Sequence, residues 1–219
     1  MSESRVLFLF VGLLFQLFSF AQLRYPVVGT YKGKSAQGMA IWEDKAYLFN
    51  DGGHCRVLDL KRGEVLYEFE LASAGKDMHS ATASFGKEVI ENGGKPVLYV
   101  AEFSGKSRCF VENLVNDSSI LVQTIEATEN GKNYLIQCWL VDSKQNCIYT
   151  VSGRQKADSL GNWPVIFRKY RLPRLQEGGY VRMTEKEVLG RFELDFPNCL
   201  QGASIRKHYM YIVTGFQQS

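Results

Sequence analysis

From Gln22 onward the apolar residues recur with a period of two or in short runs, and Gly, Asn, Asp and Lys break them up. Lys45-Ala-Tyr-Leu-Phe-Asn50, Cys55-Arg-Val-Leu-Asp-Leu60, Glu64-Val-Leu-Tyr-Glu-Phe-Glu-Leu71 and Val97-Leu-Tyr-Val-Ala-Glu-Phe103 show the pattern. Alternation of this kind sets one face of each segment on a core and the other in water, the mark of a β-strand. No window carries the i, i+3, i+4, i+7 stripe of a long amphipathic helix. Glu43-Asp44, Asp51-Gly52-Gly53 and Lys61-Arg62-Gly63 read as hairpin turns. The chain is predicted to be all-β.

The strands also repeat. Gln37-Gly-Met-Ala-Ile-Trp-Glu-Asp-Lys-Ala-Tyr-Leu-Phe49 returns as Gln201-Gly-Ala-Ser-Ile-Arg-Lys-His-Tyr-Met-Tyr-Ile-Val213, with Gln, Gly, Ile and the strand Tyr at the same offsets. Looser copies begin at Gln137 and at His79. Starts at 37, 79, 137 and 201 are spaced by 42, 58 and 64 residues. Residues 64–71, 120–126 and 187–194 form a matching set of fourth strands.

Four antiparallel strands per unit at such spacing resemble the blades of a β-propeller, in the manner of the NHL/YVTN type, whose blades open with a small-residue inner strand. Gln37-Gly38, His79-Ser80 and Gln201-Gly202 fit that inner position. Residues 37–71, 79–126 and 137–194 supply three units, and 201–216 supply the first hairpin of a fourth. The expected fold is therefore a partial β-propeller of about three and a half four-stranded blades. Residues 25–32 read as an orphan outer strand of the sort that closes a ring, which predicts an incomplete propeller, truncated at its C-terminus. The rival architecture is a complete β-sandwich or small barrel. An open arc would expose two blade flanks and favour self-association.

The first residues read as an address. Arg5 precedes an apolar run, residues 6–20, that contains Gln16, and Ser19 and Ala21 stand at the −3 and −1 positions of a cut before Gln22. That is the layout of a secretory signal peptide; a spanning helix needs about 20 apolar residues. Residues 1–21 are read as the leader and 22–219 as the exported domain, periplasmic or extracellular, with no membrane span after cleavage.

Composition narrows the function. Lys+Arg number 26 against Asp+Glu 23, so there is no basic excess that asks for nucleic acid. The 45% apolar and 22% charged residues fit a packed domain and exclude a disordered chain. The five cysteines, Cys55, Cys109, Cys138, Cys147 and Cys199, show no C-x-x-C spacing. They are read as buried thiols, with a Cys138–Cys147 cross-hairpin disulfide as the alternative. His54 and His208 read as solvated loop residues. The basic run 168–174 alternates like a strand with one wet, cationic face.

His79 is different, because it fills the repeat position held elsewhere by Gln37, Gln137 and Gln201. If those positions encircle one end of the axis, a ring of amide and imidazole groups forms there, suited to a polar ligand by hydrogen bonding. The competing role for each is a structural tie to a neighbouring backbone. Asp51, Glu102 and Asp195 lie near strand ends, but spacing alone does not pair them. Propeller hydrolases of the gluconolactonase kind carry Glu, Asn and Asp metal ligands where this chain has Gln and His, which argues against a calcium site. No metal, cofactor or catalytic residue is predicted. The sequence points to a noncatalytic binder of a glycan or protein ligand. The alternatives are a propeller hydrolase or lyase acting on extracellular glycans or lactones, and a truncated product without independent activity.

Overall fold

The computed structural model describes residues 37–75, 78–91, 94–103, 106–153, 156–207 and 209–215. The expected leader at 1–21, the expected orphan strand at 25–32 and His208 lie outside the described residues. All described residues belong to the unit Gly33–Ser219.

Each repeat folds as an antiparallel meander. The first comprises β1 (Gly38–Trp42), β2 (Lys45–Phe49), β3 (His54–Asp59) and β4 (Glu64–Glu70), paired in sequence order. The second comprises β5 (Ser80–Val89), β6 (Pro96–Glu102), β7 (Cys109–Val115) and β8 (Ser118–Glu129), to whose end the short β9 (Lys132–Asn133) pairs. The third holds β10 (Cys138–Asp142), β11 (Cys147–Gly153), β12 (Trp163–Arg171) and β14 (Gly190–Phe196). A two-stranded hairpin follows, β15 (Leu200–Arg206) with β16 (Tyr209–Thr214). Among the described residues the fold is thus all-β: three four-stranded propeller-type units and a two-stranded hairpin, in an arc that does not close.

The turns form where side chains replace missing backbone partners. Asp59 Oδ1 accepts from the Lys61 and Arg62 amides at 2.8 and 3.0 Å, and Asp142 Oδ1 accepts from those of Lys144 and Gln145, both at 3.1 Å. Asn116 and Asn146 take positive φ, 55° and 57°, which Asn tolerates better than other side chains.

One element departs from the repeat. β13 (Tyr180–Met183) sits in sequence between β12 and β14 but leaves the third sheet and runs parallel to β8 on the outside of the second. This excursion accounts for the longest repeat spacing. It also corrects the expected strand at 187–194: residues Glu185–Glu187 form a 3-10 turn, and the strand begins at Gly190. Gln123, buried in β8, holds the excursion in place, its Nε2 donating to the carbonyls of Arg174 and Gly178 at 3.0 and 2.9 Å.

Three apolar cores lie between successive units. Tyr47, Phe49, Val57 and Phe69 of the first sheet meet Leu98, Val100 and Phe110 of the second. Tyr99, Val111 and Ile125, on the other face of the second, meet Trp139, Ile148 and Tyr170 of the third. Leu140, Val151 and Phe167 meet Leu200, with Ile205 and Ile212 beside them. Consecutive residues of β6 feed different cores, so all seven of its residues are buried. Each fully buried Leu, Val or Phe contributes about 1.5–3 kcal/mol.

The basic run behaves differently from its reading as a wet edge. β12 is paired on both sides, to β11 and β14, and has a core on each face. Arg168 is only 4% exposed, its Nη2 donating to Glu129 Oε2 at 2.7 Å and its guanidinium 4.5 Å from the Tyr134 ring centre. The alternate face of the run meets solvent, where Lys169 donates to Gln145 Oε1 at 3.2 Å and Arg171 pairs with Glu177.

All five cysteines are buried free thiols. Cys138 lies opposite Val151 and Cys147 opposite Asp142, so the two do not face one another across their hairpin. Burial pushes the Cys138 thiol up to about 12, and the Cys55 and Cys109 thiols higher. Because the thiolate is the reactive form, the native protein should release almost no thionitrobenzoate from Ellman's reagent. The guanidinium-unfolded protein should titrate all five cysteines. Rapid native labelling would contradict this packing.

Candidate functional site

The inner strand of each unit sets the geometry. β5 lies against both β1 and β10, and β10 lies against β15. The approach is close enough to restrict side chains. A β-carbon added to Gly38 would stand 3.0 Å from the Ser80 carbonyl oxygen. Between β5 and β10, the Thr82 hydroxyl accepts from the Trp139 amide and donates to its carbonyl, both at 3.3 Å. Trp139, buried beside this tie, donates from Nε1 to the Ser107 carbonyl at 3.2 Å.

The four residues expected to form a ring occupy equivalent places, each at or next to the start of an inner strand. Gln37, His79 and Gln137 immediately precede β1, β5 and β10, and Gln201 falls at the irregularity between Leu200 and Gly202 in β15. Their side chains do different things. Gln37 and Gln201 line one cavity of about 220 Å³, together with Met39, Thr82, Ser204 and Tyr211. Gln137 instead ties its own unit, its Oε1 accepting from the Gly153 amide at 2.8 Å. A β-carbon on Gly153 would crowd that oxygen, so a larger residue there would push the Gln137 side chain aside. His79 pairs through Nδ1 with Asp51 Oδ1 at 2.9 Å, edge-on to Phe103 with ring centres 5.5 Å apart.

The three carboxylates near strand ends are kept apart. Glu102 is 3% exposed and holds the Arg108 guanidinium through two bonds of 2.7 and 2.8 Å. Asp51 is taken by His79, and Asp195 stands exposed on β14. Among the described residues no three His, Cys, Asp or Glu side chains are grouped to hold a metal ion.

His54 is a strand residue rather than the loop residue expected, and its side chain is partly exposed. It opens β3 and lies between Glu68 and Glu70 of β4, its Nε2 2.9 Å from the first and its Nδ1 2.8 Å from the second. Arg56 Nε donates to the other oxygen of Glu68 at 2.6 Å. Hydrogen bonds to Glu70 and then Glu68 raise the His54 pKa above the ordinary histidine value. Sequence reasoning missed this cluster because it took His54 with the preceding glycines. Register makes the contact, placing His54 opposite Glu70 and Arg56 opposite Glu68.

A second cavity, of about 380 Å³, opens further along the same inner strands. Trp42 of β1, Phe85 of β5, Asp142 and Lys144 at the β10–β11 turn, and Arg206 and Lys207 at the end of β15 surround it. No sequence motif marked it, because its residues come from four separate repeats.

Two outcomes check these assignments. Gln137→Ala strands the Gly153 amide and should cost about 1–3 kcal/mol in urea unfolding, whereas Gln201→Ala, at an exposed position, should stay within about 0.5 kcal/mol. For His54, a raised folded pKa means the stabilisation is fully present below the unfolded value of about 6.5 and is lost as pH rises through the folded value. The melting-temperature gap between wild type and His54→Gln should therefore be wide near about pH 5.5 and narrow by about pH 8.5; a gap independent of pH would contradict the cluster.

No family profile and no curated protein sequence matches the chain. Among solved structures it is similar to the WD40 domain of Neurospora crassa Pan2, at 12% identity and a TM-score of 0.43, covering 89% of this chain and 52% of that one. It is also similar to the Chaetomium thermophilum polycomb repressive complex 2, at 8% identity and a TM-score of 0.44, covering 83% of this chain and 35% of that one. A computationally designed protein, Ika4, aligns at 9% identity and a TM-score of 0.36 over 87% of this chain and 99% of that one. The chain thus spans about half of the first of these proteins and about a third of the second.

Proposed function

We propose that this chain is an exported, noncatalytic binding protein whose ligand, a glycan or a protein segment, docks where the inner strands begin. The carrying observation is the meeting of Gln37 and Gln201, the opening residues of the first unit and of the last hairpin, at one cavity. A primary amide carries two donors and an acceptor; Gln201 Nε2 directs one donor to Cys199 Sγ at 3.2 Å, and the remaining groups match sugar hydroxyls and peptide groups alike. Tyr211, 38% exposed at the same cavity, supplies an aromatic surface beside them. Export is supported by the leader pattern of residues 1–21, with its small residues before Gln22.

A glycan array probed with the mature protein, followed by calorimetry on any hit, tests the reading. Gln37→Ala and Gln201→Ala should each weaken binding about tenfold, the loss of about one hydrogen bond, while the melting temperature stays unchanged. Undiminished binding by the double variant would remove this cavity from the function.

A further inference from the structure

We propose that the larger cavity, at the far end of the same strands, is a separate site for a carboxylated sugar. Its wall is built by all four units: Trp42 from the first, Phe85 from the second, Lys144 from the third and Arg206 from the fourth. At about 380 Å³ it lies in the range of small-ligand sites.

Its charge is one-sided. Lys144, Arg206 and Lys207 bring three cations to the lining, and Asp142 is the one carboxylate among the lining residues. Asp142 is 5% exposed, and its Oδ1 is engaged by the backbone amides of Lys144 and Gln145. It therefore shapes the turn that presents Lys144 and forms no ion pair with the three cations, which outnumber it in the lining. Among the described residues, none of the three cations takes part in an ion pair. Elsewhere in the protein Arg56, Arg108, Arg168, Arg171 and Arg182 are all paired with Glu. Unpaired cations collected around a concavity attract an anion, and a guanidinium binds a carboxylate through two parallel bonds.

The remaining wall fixes what carries the carboxylate. Trp42 and Phe85 stand with ring centres 5.7 Å apart at a tilt of 48°, and Ile41 and Ile205 flank them. Such a surface takes the apolar face of a sugar ring, with the carboxylate turned toward Arg206 and Lys144. Ser84 and Ser143 add hydroxyl-bearing side chains to the same wall. This site differs in position and charge from the Gln37–Gln201 cavity, and neither depends on the other.

Trp42 provides the reporter. Tri-galacturonic acid titrated into the full-length mature protein should change tryptophan fluorescence saturably, with affinity falling as salt is raised. Arg206→Gln should weaken that binding at least tenfold, and Lys144→Gln several-fold, without altering the melting temperature, because both side chains are exposed. Neutral tri-galactose should not bind here, and Gln37→Ala should leave the acidic sugar's affinity intact. Equal binding of hexaglutamate would make the site a peptide site, and equal binding of inorganic phosphate would leave only a charge patch. Either result would overturn the proposal, as would an Arg206→Gln variant that binds tri-galacturonic acid normally.

Discussion

The stack of units depends on a second and a third sheet that are apolar on both faces. A sheet of that kind gains its burial energy only when another sheet covers each side. β6 shows the constraint at full strength, since odd and even residues enter different cores and none reaches water. The sheets must then stack face to face, and their inner strands must converge. Convergence is what puts Gly38 against the Ser80 carbonyl and lets the Thr82 hydroxyl bridge to both backbone groups of Trp139.

The same stacking forces charged groups inside, and two of them are held by close ion pairs. Glu102 holds Arg108 with two oxygens, and Arg168 reaches Glu129 across the face of Tyr134. Removing one member of such a pair leaves an uncompensated buried charge, which costs far more than the pair itself contributes. The excursion carrying β13 follows this logic. It adds a parallel strand to β8, and Gln123 reaches out from β8 to its loop carbonyls. Glu126 of β8 meets both Tyr180 and Arg182 of β13. A segment inserted in the third unit thereby braces the second.

Convergent inner strands also leave gaps between them, and these gaps are the two cavities. One is lined by amides and the other by cations, although the same strands build both. The difference lies in which end of the strand contributes. Strand openings carry Gln37 and Gln201, while the exits of β10 and β15 supply Lys144, Arg206 and Lys207. At the open flanks, Met39 and Ile41 of β1 and Tyr209 and Val213 of β16 remain exposed.

Much of the fold was legible in the residues. Period-two alternation located the strands, the Asp-Gly-Gly and Lys-Arg-Gly clusters located the turns, and the recurrence of Gln-Gly with a later strand Tyr located the units. These are local signals, carried by neighbours in sequence. Contacts between units were not legible, because they depend on which faces meet. Gln37, His79 and Gln137 look alike as repeat positions, yet Gln137 turns to Gly153 of its own unit and His79 to Asp51 of the preceding one. Arg168 reads as a wet edge residue until strands on both sides and a core on each face enclose it. Sequence by itself thus determined the strands and their repetition, through backbone geometry and alternation. Only the tertiary structure decided which side chains share a cavity, since packing brings together residues that no spacing relates.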